Sequence, residues 1–165
     1  MIDRMAAAAI QLQAPLLMRS ELIRFSVPGK PLGKGRPRFS RASGRAFTPA
    51  KTVSYEGKIA LFAREAMGER PPFEAGVPLS VSVKAVFDVP VSWSKRKRAE
   101  ALAGAMHTGR PDLDNIGKCI GDAGNGVLWH DDSSIARLLI VKCYGPVAEL
   151  VVEVERMIAQ AGTPL

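Results

Sequence analysis

The stretch Arg110–Asp132, RPDLDNIGKCIGDAGNGVLWHDD, constrains this chain more than any other. It gathers Asp112, Asp114, Asp122, Asp131 and Asp132 into one segment of a chain whose formal net charge is +7. Carboxylates repel one another unless a cation or a proton lies between them. A hard metal ion is the simplest such partner. Mg²⁺ takes oxygen ligands and often uses one or two carboxylates together with water and substrate phosphates. The basic remainder of the chain would then hold those phosphates.

Local geometry supports convergence of the acids. Pro111 favours an extended conformation at Arg110. In an extended segment residues two apart point the same way, so Asp112 and Asp114 are expected to converge. A helix is expected to start here, with an Asp as N-cap and Asn115 in its first turn. Asp114, Lys118 and Asp122 then share one helical face. Gly124, Asn125 and Gly126 make a turn. Val127, Leu128 and Trp129 return apolar bulk to the core and carry Asp131 and Asp132 back toward the helix start. Three pieces of backbone would thus assemble Asp112, Asp114 and Asp132, with Lys118 beside them.

A second segment is equally biased. From Arg24 to Lys51 there are eight basic residues, Arg24, Lys30, Lys34, Arg36, Arg38, Arg41, Arg45 and Lys51, and no acid. Gly29, Gly33, Gly35 and Gly44 interrupt the run. Such a segment cannot pack as a core. It reads as a basic loop that follows a DNA backbone, the glycines allowing close approach; the plainer reading is a solvated loop. The interleaved Phe39 and Phe47 favour a binding role, since they could stack or anchor.

These two segments together resemble the RusA family of Holliday junction resolvases. The acidic block has a basic residue, P-D-x-D-N, a lysine four after the second Asp, D-A, a short glycine-containing turn and a closing D-D. The earlier block, VPGKPLGKGRPRFSRASGRAFTP over Val27–Pro49, is similar to the family's P-G-K-P, K-G-R-P-R and downstream T-P. The resemblance runs from about Ile23 to about Val154. It implies Mg²⁺, with Mn²⁺ as the other candidate, held by Asp112, Asp114 and Asp132. Asp132 is favoured over Asp131, which is expected to be supporting or structural. It also implies a catalytic role for Lys118, contacting the scissile phosphate or stabilising transition-state charge; the plainer role is an ion pair with Asp114 or Asp122. Asn115 would orient Asp132 or a water, or simply cap the helix. One departure stands out: the helix carries Gly117, Gly121 and Gly124 where leucine or alanine is typical. Each interior glycine costs roughly 0.5–1 kcal/mol relative to alanine, so either a close helix–helix approach, such as a dimer interface, or a less stable site is expected there.

Length and composition agree with one globular domain. A chain of 165 residues with 47% apolar content buries roughly two-thirds of its unfolded surface. The basic balance favours a polyanionic partner. Cys119 and Cys143 form neither a disulfide framework nor a zinc pattern and read as buried apolar residues. No run reaches the ~18 apolar residues of a membrane helix, and the N-terminus is a poor signal peptide. A cytoplasmic protein with no membrane association is expected.

The expected elements run in order. Residues 1–20 are a flexible extension, or an over-extended start with Met18 as the true one. Leu22–Val27 is a strand. Thr48 caps a helix to about Met67, Pro49 being its first residue and Tyr55, Ile59, Phe62, Ala63 and Ala66 its core stripe. Leu79–Val89 alternates as a strand. Trp93 to about Ala103 is a short helix whose Lys95, Arg96, Lys97 and Arg98 form a second phosphate-contacting patch or a solvated face. Trp93 is expected to pack rather than to stack on a base. His107 and His130 read as polar loop and surface residues, with a ligand role for the first and a proton relay for the second as the rival readings. Ile135–Tyr144 and Ala148–Met157 are expected to pair as a hairpin, and residues 159–165 form a loose tail.

The fold class expected is α+β: residues 21–158 as a single domain with a mixed sheet of about four or five strands and two or three helices. The function expected is a metal-dependent endonuclease that resolves four-way DNA junctions by paired symmetric nicks, as a homodimer, in recombination and repair. The alternatives are a structure-selective DNA-binding protein that does not cut, a broader branched-DNA nuclease, and a metal-dependent enzyme acting on a small phosphate compound.

Overall fold

A computed structural model describes residues 21–41 and 44–157. The expected extension over residues 1–20 and the tail over 159–165 lie outside the described residues. The architecture is α+β, with a four-stranded mixed sheet, a separate two-stranded ribbon and three helices among the described residues.

Strand β1, Leu22–Pro28, alternates exposed and buried residues as its sequence predicts. Ile23, Phe25 and Val27 point into the core. The basic segment follows and ends in a short ribbon, β2 (Arg38–Ser40) against β3 (Arg45–Phe47). Helix α1 spans Ala50–Met67. Pro49, not Thr48, occupies the N-cap position, and no side chain caps the helix; the start lies within the usual blur of helix ends. Thr52, Tyr55, Ile59, Ala63 and Met67 form its buried stripe, which packs on β1 and on the acidic-block helix. Burial pushes the Tyr55 hydroxyl up to about 12.

Strand β4, Leu79–Asp88, is buried along nearly its whole length, as a central strand should be. Helix α2, Lys95–Leu102, starts at Ser94, whose hydroxyl accepts from the Lys97 backbone N–H. Helix α3, Leu113–Gly124, carries the acidic block. After a 3-10 turn at Asp132–Ser134 come β5, Ile135–Gly145, and β6, Glu149–Arg156.

The sheet order is β1-β6-β4-β5. The expected β5–β6 hairpin is therefore not formed: β4 lies between them, parallel to β5 and antiparallel to β6. The reason is burial. The apolar β4 takes a partner on each edge, while β6 fills the gap beside β1 and buries Leu150, Val152 and Val154. The connection passes close over β4 at Gly145, where a Cβ would stand 2.5 Å from Val86 Cγ1. Only glycine allows that crossing. Strand β5 is left at the edge, with Leu138 and Leu139 exposed.

Candidate active site

Helix α3 is held at both ends. Before it, Lys142 on β5 donates its ammonium to the carbonyls of Gly109 (2.7 Å) and Pro111 (2.9 Å), fixing the entering loop. After it, Trp129 is fully buried, and its Nε1 donates to Asn125 Oδ1 at 3.0 Å. Ile116, Cys119, Ile120 and Ala123 face the core. Both cysteines are free and buried, as expected, and burial pushes the Cys119 thiol up to about 12.

The opposite side of α3 faces β5 across a cavity of about 640 Å³. Asp114, Lys118 and Asp132 line it with the apolar side chains of Leu113, Ile135, Leu138 and Leu139. Lys118 Nζ donates to Asp114 Oδ2 at 3.1 Å. That hydrogen bond holds the Asp114 carboxyl below the usual carboxylate range. Asp132 opens the 3-10 turn. Its neighbour Asp131 caps that turn, accepting from the Ser133 N–H at 3.0 Å; the Ser133 side chain, then its backbone N–H, hold the Asp131 carboxyl below the usual carboxylate range.

The α3 glycines have a local cause. A Cβ on Gly121 would lie 3.1 Å from Asp132 Oδ2, and one on Gly117 would meet Leu138 and Ile140 at 3.1 and 3.2 Å. At Gly124 it would fall 2.3 Å from the Trp129 ring. The expected helix–helix approach is therefore an approach of β5, Asp132 and Trp129 to the helix, all within one chain. Gly121 leaves room for the Asp132 carboxylate beside the helix.

Asp112 does not join Asp114 and Asp132. Among the described residues no three His, Cys, Asp or Glu side chains stand together as a metal cage. The expected convergence assumed extended backbone through both acids. The helix instead begins at Leu113, and residues two apart near a helix start point to different sides. Asp112 lines a second cavity, of about 680 Å³, on the other side of the α3 start.

That second cavity is basic. Lys30, Lys34, Arg36, Lys51 and Arg110 line it with Asn115 and the Pro31–Gly35 backbone. The Lys34 N–H donates to the Asn115 carbonyl at 2.8 Å, and a Cβ on Gly33 would meet Asn115 and Pro111 at 2.9 Å. The loop therefore lies directly on the start of α3, and Asn115 serves as its seat. Lys34, expected to reach DNA, instead contacts Asp122 and lies 3.5 Å from Glu56.

The other predicted phosphate contacts are spread out. Arg38 and Arg45 flank the ribbon and Arg41 lies in its turn; all three are exposed, as are Phe39 and Phe47. On α2, Lys95 and Arg98 are exposed, Arg96 pairs with Glu100 at 3.4 Å, and Lys97 lies 3.9 Å from the Trp93 ring centre. Trp93 also packs edge-on against Tyr144, as expected. His130 is a surface residue. His107 stacks on Phe87 at 3.9 Å, and burial, then Lys142, hold its imidazole below its usual value. Lys142 has no role in the sequence reading, although a lone lysine inside the apolar run of β5 is a visible signal.

The chemistry of the donors fits a hard cation. Asp114 and Asp132 offer carboxylate oxygens to one cavity, and Asp112 offers another beside the cations that would grip a phosphate. No helix among the described residues is long and apolar enough to cross a membrane.

The sequence model described as "Endodeoxyribonuclease RusA" matches residues 28–155, a span covering β1's end to β6. The Bacillus subtilis (strain 168) protein described as "Uncharacterized protein YqaN" is 36% identical over 129 residues, 75% of this chain and 89% of that one. The matched span contains most of the basic loop, the whole acidic block, β4, β5 and nearly all of β6, so the chain belongs to the RusA endodeoxyribonuclease family.

Proposed function

We propose that this protein is a Mg²⁺-dependent endodeoxyribonuclease that resolves four-way DNA junctions by paired symmetric nicks, acting as a homodimer in DNA recombination and repair. The observation that carries this reading is the pairing of an acid-lined cavity, holding Asp114, Lys118 and Asp132, with a basic cavity across the start of the same helix. Asp114 and Asp132 would hold the ion, with water and the substrate phosphate completing the ligands, as Mg²⁺ sites often require; Mn²⁺ suits the same oxygens, and Asp112 stands outside this set in the basic cavity. When bound, the ion supplies Lewis-acid polarisation of the phosphoryl oxygens and an activated water.

The chain's own residues do the rest. Lys30, Arg36, Lys51 and Arg110 grip the backbone of the strand to be cut, and the ribbon arginines and the α2 cations Lys95 and Arg98 extend the grip along the arms. Lys118 carries a mobile point charge at the cavity mouth, suited to the charge that develops as the phosphodiester breaks. Asn115 and Lys142 keep the start of α3 aimed. A two-fold dimer would present two such sites to two strands of like polarity, which is what paired nicking requires.

The test is cleavage of a synthetic four-way junction against linear duplex, with and without Mg²⁺, for wild type and Asp132→Asn. Paired nicks in the junction alone, lost in the variant while binding persists, are expected. Binding without cleavage in any metal would leave a structure-selective binding protein, and equal cutting of flaps and forks would leave a broader branched-DNA nuclease.

A further inference from the structure

Lys34 sits in the middle of the basic loop but does not face outward. Its side chain is 29% exposed and runs between two helices. It contacts Asp122 near the end of α3 and stands 3.5 Å from Glu56 Oε1 on α1. That Glu56 oxygen is buried and accepts no hydrogen bond. Lys34 is therefore its counter-charge, and moving the ammonium out to a phosphate would strand a carboxylate between α1 and Cys119, at a cost large for buried charges.

The backbone around Lys34 is tied to the same two helices. Its own N–H bonds the Asn115 carbonyl of α3 at 2.8 Å, and the next N–H, at Gly35, bonds Thr52 Oγ1 of α1 at 3.1 Å. Glycine on either side is required by the fit, since a Cβ at Gly33 or Gly35 would meet those partners at 2.9 Å. Main chain and side chain thus make the same pair of attachments, one to each helix.

We propose that Lys34 is a positioning residue, a strut joining α1, α3 and the basic loop, and that it makes no phosphate contact. Through it the loop cations Lys30 and Arg36 are held in register with the acids on α3, so that a strand gripped on one side of the helix start presents its phosphate to the other. The inference rests on the endonuclease reading for its cleavage arm, while its binding arm stands alone.

The experiment compares Lys34→Met, Lys34→Arg, Asp122→Asn and Lys30→Met in the full chain. Affinity for a labelled four-way junction is measured in EDTA across a salt series. Single-turnover cleavage is measured at saturating DNA with Mg²⁺. A lost phosphate contact lowers the slope of log affinity against log salt by about 0.9, as expected for Lys30→Met. Lys34→Met and Asp122→Asn should keep the wild-type slope yet cut about tenfold to a hundredfold more slowly, the scale of a misplaced reacting group. Lys34→Arg, which keeps the charge, should recover most of the rate.

Asp122→Asn is the sharper variant, because it leaves Lys34 in place and decides the matter even if Lys34→Met does not fold. A strut predicts slower cutting at unchanged slope. A phosphate contact predicts the opposite, a steeper slope and tighter binding from a freed lysine, and that result would overturn the proposal. So would a Lys34→Met slope that falls as Lys30→Met does, or full-rate cutting by Lys34→Met at saturation. If wild type itself never cuts, the endonuclease reading fails and the slopes alone judge the strut.

Discussion

The two sides of the start of α3 offer a DNA strand opposite things. Toward β5 lie two acids and a lysine over an apolar floor, with Lys118 and Asp114 more than half exposed. Toward α1 lie cations over glycine-rich backbone, with Asp112 as the one acid. A helix is only about 10 Å across with its side chains, so two surfaces of opposite chemistry stand about one helix diameter apart. On the proposed reading, gripping and cutting fall on the two faces of a single short helix, and changes on either side should separate the two activities.

The largest expected effect is on the acid side. Asp132→Asn and Asp114→Asn should each lower junction cleavage at least about a hundredfold, the scale of losing several kcal/mol of charge stabilisation. Affinity in EDTA should be kept or slightly improved, as removing a negative charge would do. A variant that lost binding and cutting together would break the division.

Gly121→Ala sharpens it further. The added methyl group would press on Asp132 from 3.1 Å, while helix propensity alone favours alanine by about 1 kcal/mol. Stability should therefore change little while cleavage falls about tenfold or more, measured by thermal melting beside single-turnover assays. Gly124→Ala, which would drive into the Trp129 ring from 2.3 Å, should instead destabilise the fold by about 1–3 kcal/mol.

On the basic side the effects are smaller and salt-dependent. Lys51→Met and Arg110→Met should each lower the salt slope of binding by about 0.9 and leave the rate at saturating DNA near wild type. A rate loss at saturation would show that the cations take part in cutting.

The smallest effect concerns His107 in the loop leading to Asp112. Burial and the nearby Lys142 and Lys30 hold its imidazole below the usual 6.5. Its neutral form is the one that packs, so the unfolded chain binds the proton first as pH falls. Stability should decline as pH drops below about 6.5 and level off once the folded-state value is passed. His107→Phe, keeping the stack on Phe87, should flatten that part of the stability–pH curve in denaturant titrations.

Much of this was legible in the residues. The alternation of Leu22–Val27 and Leu79–Val89, the stripe on α1 and the turn at Gly124–Gly126 are local signals, and each produced its element. The acidic block likewise announced the site, because Asp114 and Lys118 are helix neighbours and Trp129 had to turn inward. What failed was non-local. Nothing in Ile135–Arg156 records that β4 will come between its two strands, since that choice belongs to pairing across the sheet. The helix boundary at Leu113 turned Asp112 away from Asp114 by a margin of one or two residues, finer than capping signals resolve. Lys34 looked like its neighbours in the basic run, and only the buried Glu56 and the position of Asp122 set it apart.

The place of β6 in the sheet has a consequence for biosynthesis. β1, the first strand of the described chain, finds its whole ladder on β6, the last. β4 also waits for β6 on one edge. Until the ribosome has released residues through Arg156, β1 has no neighbour in the sheet and one edge of β4 stays open. Contacts of such long sequence separation form late. The surfaces that seat α1, and through it α3, are then incomplete in any nascent or prematurely terminated chain. A stop codon that removes β6 should therefore yield a chain that neither folds nor cuts DNA.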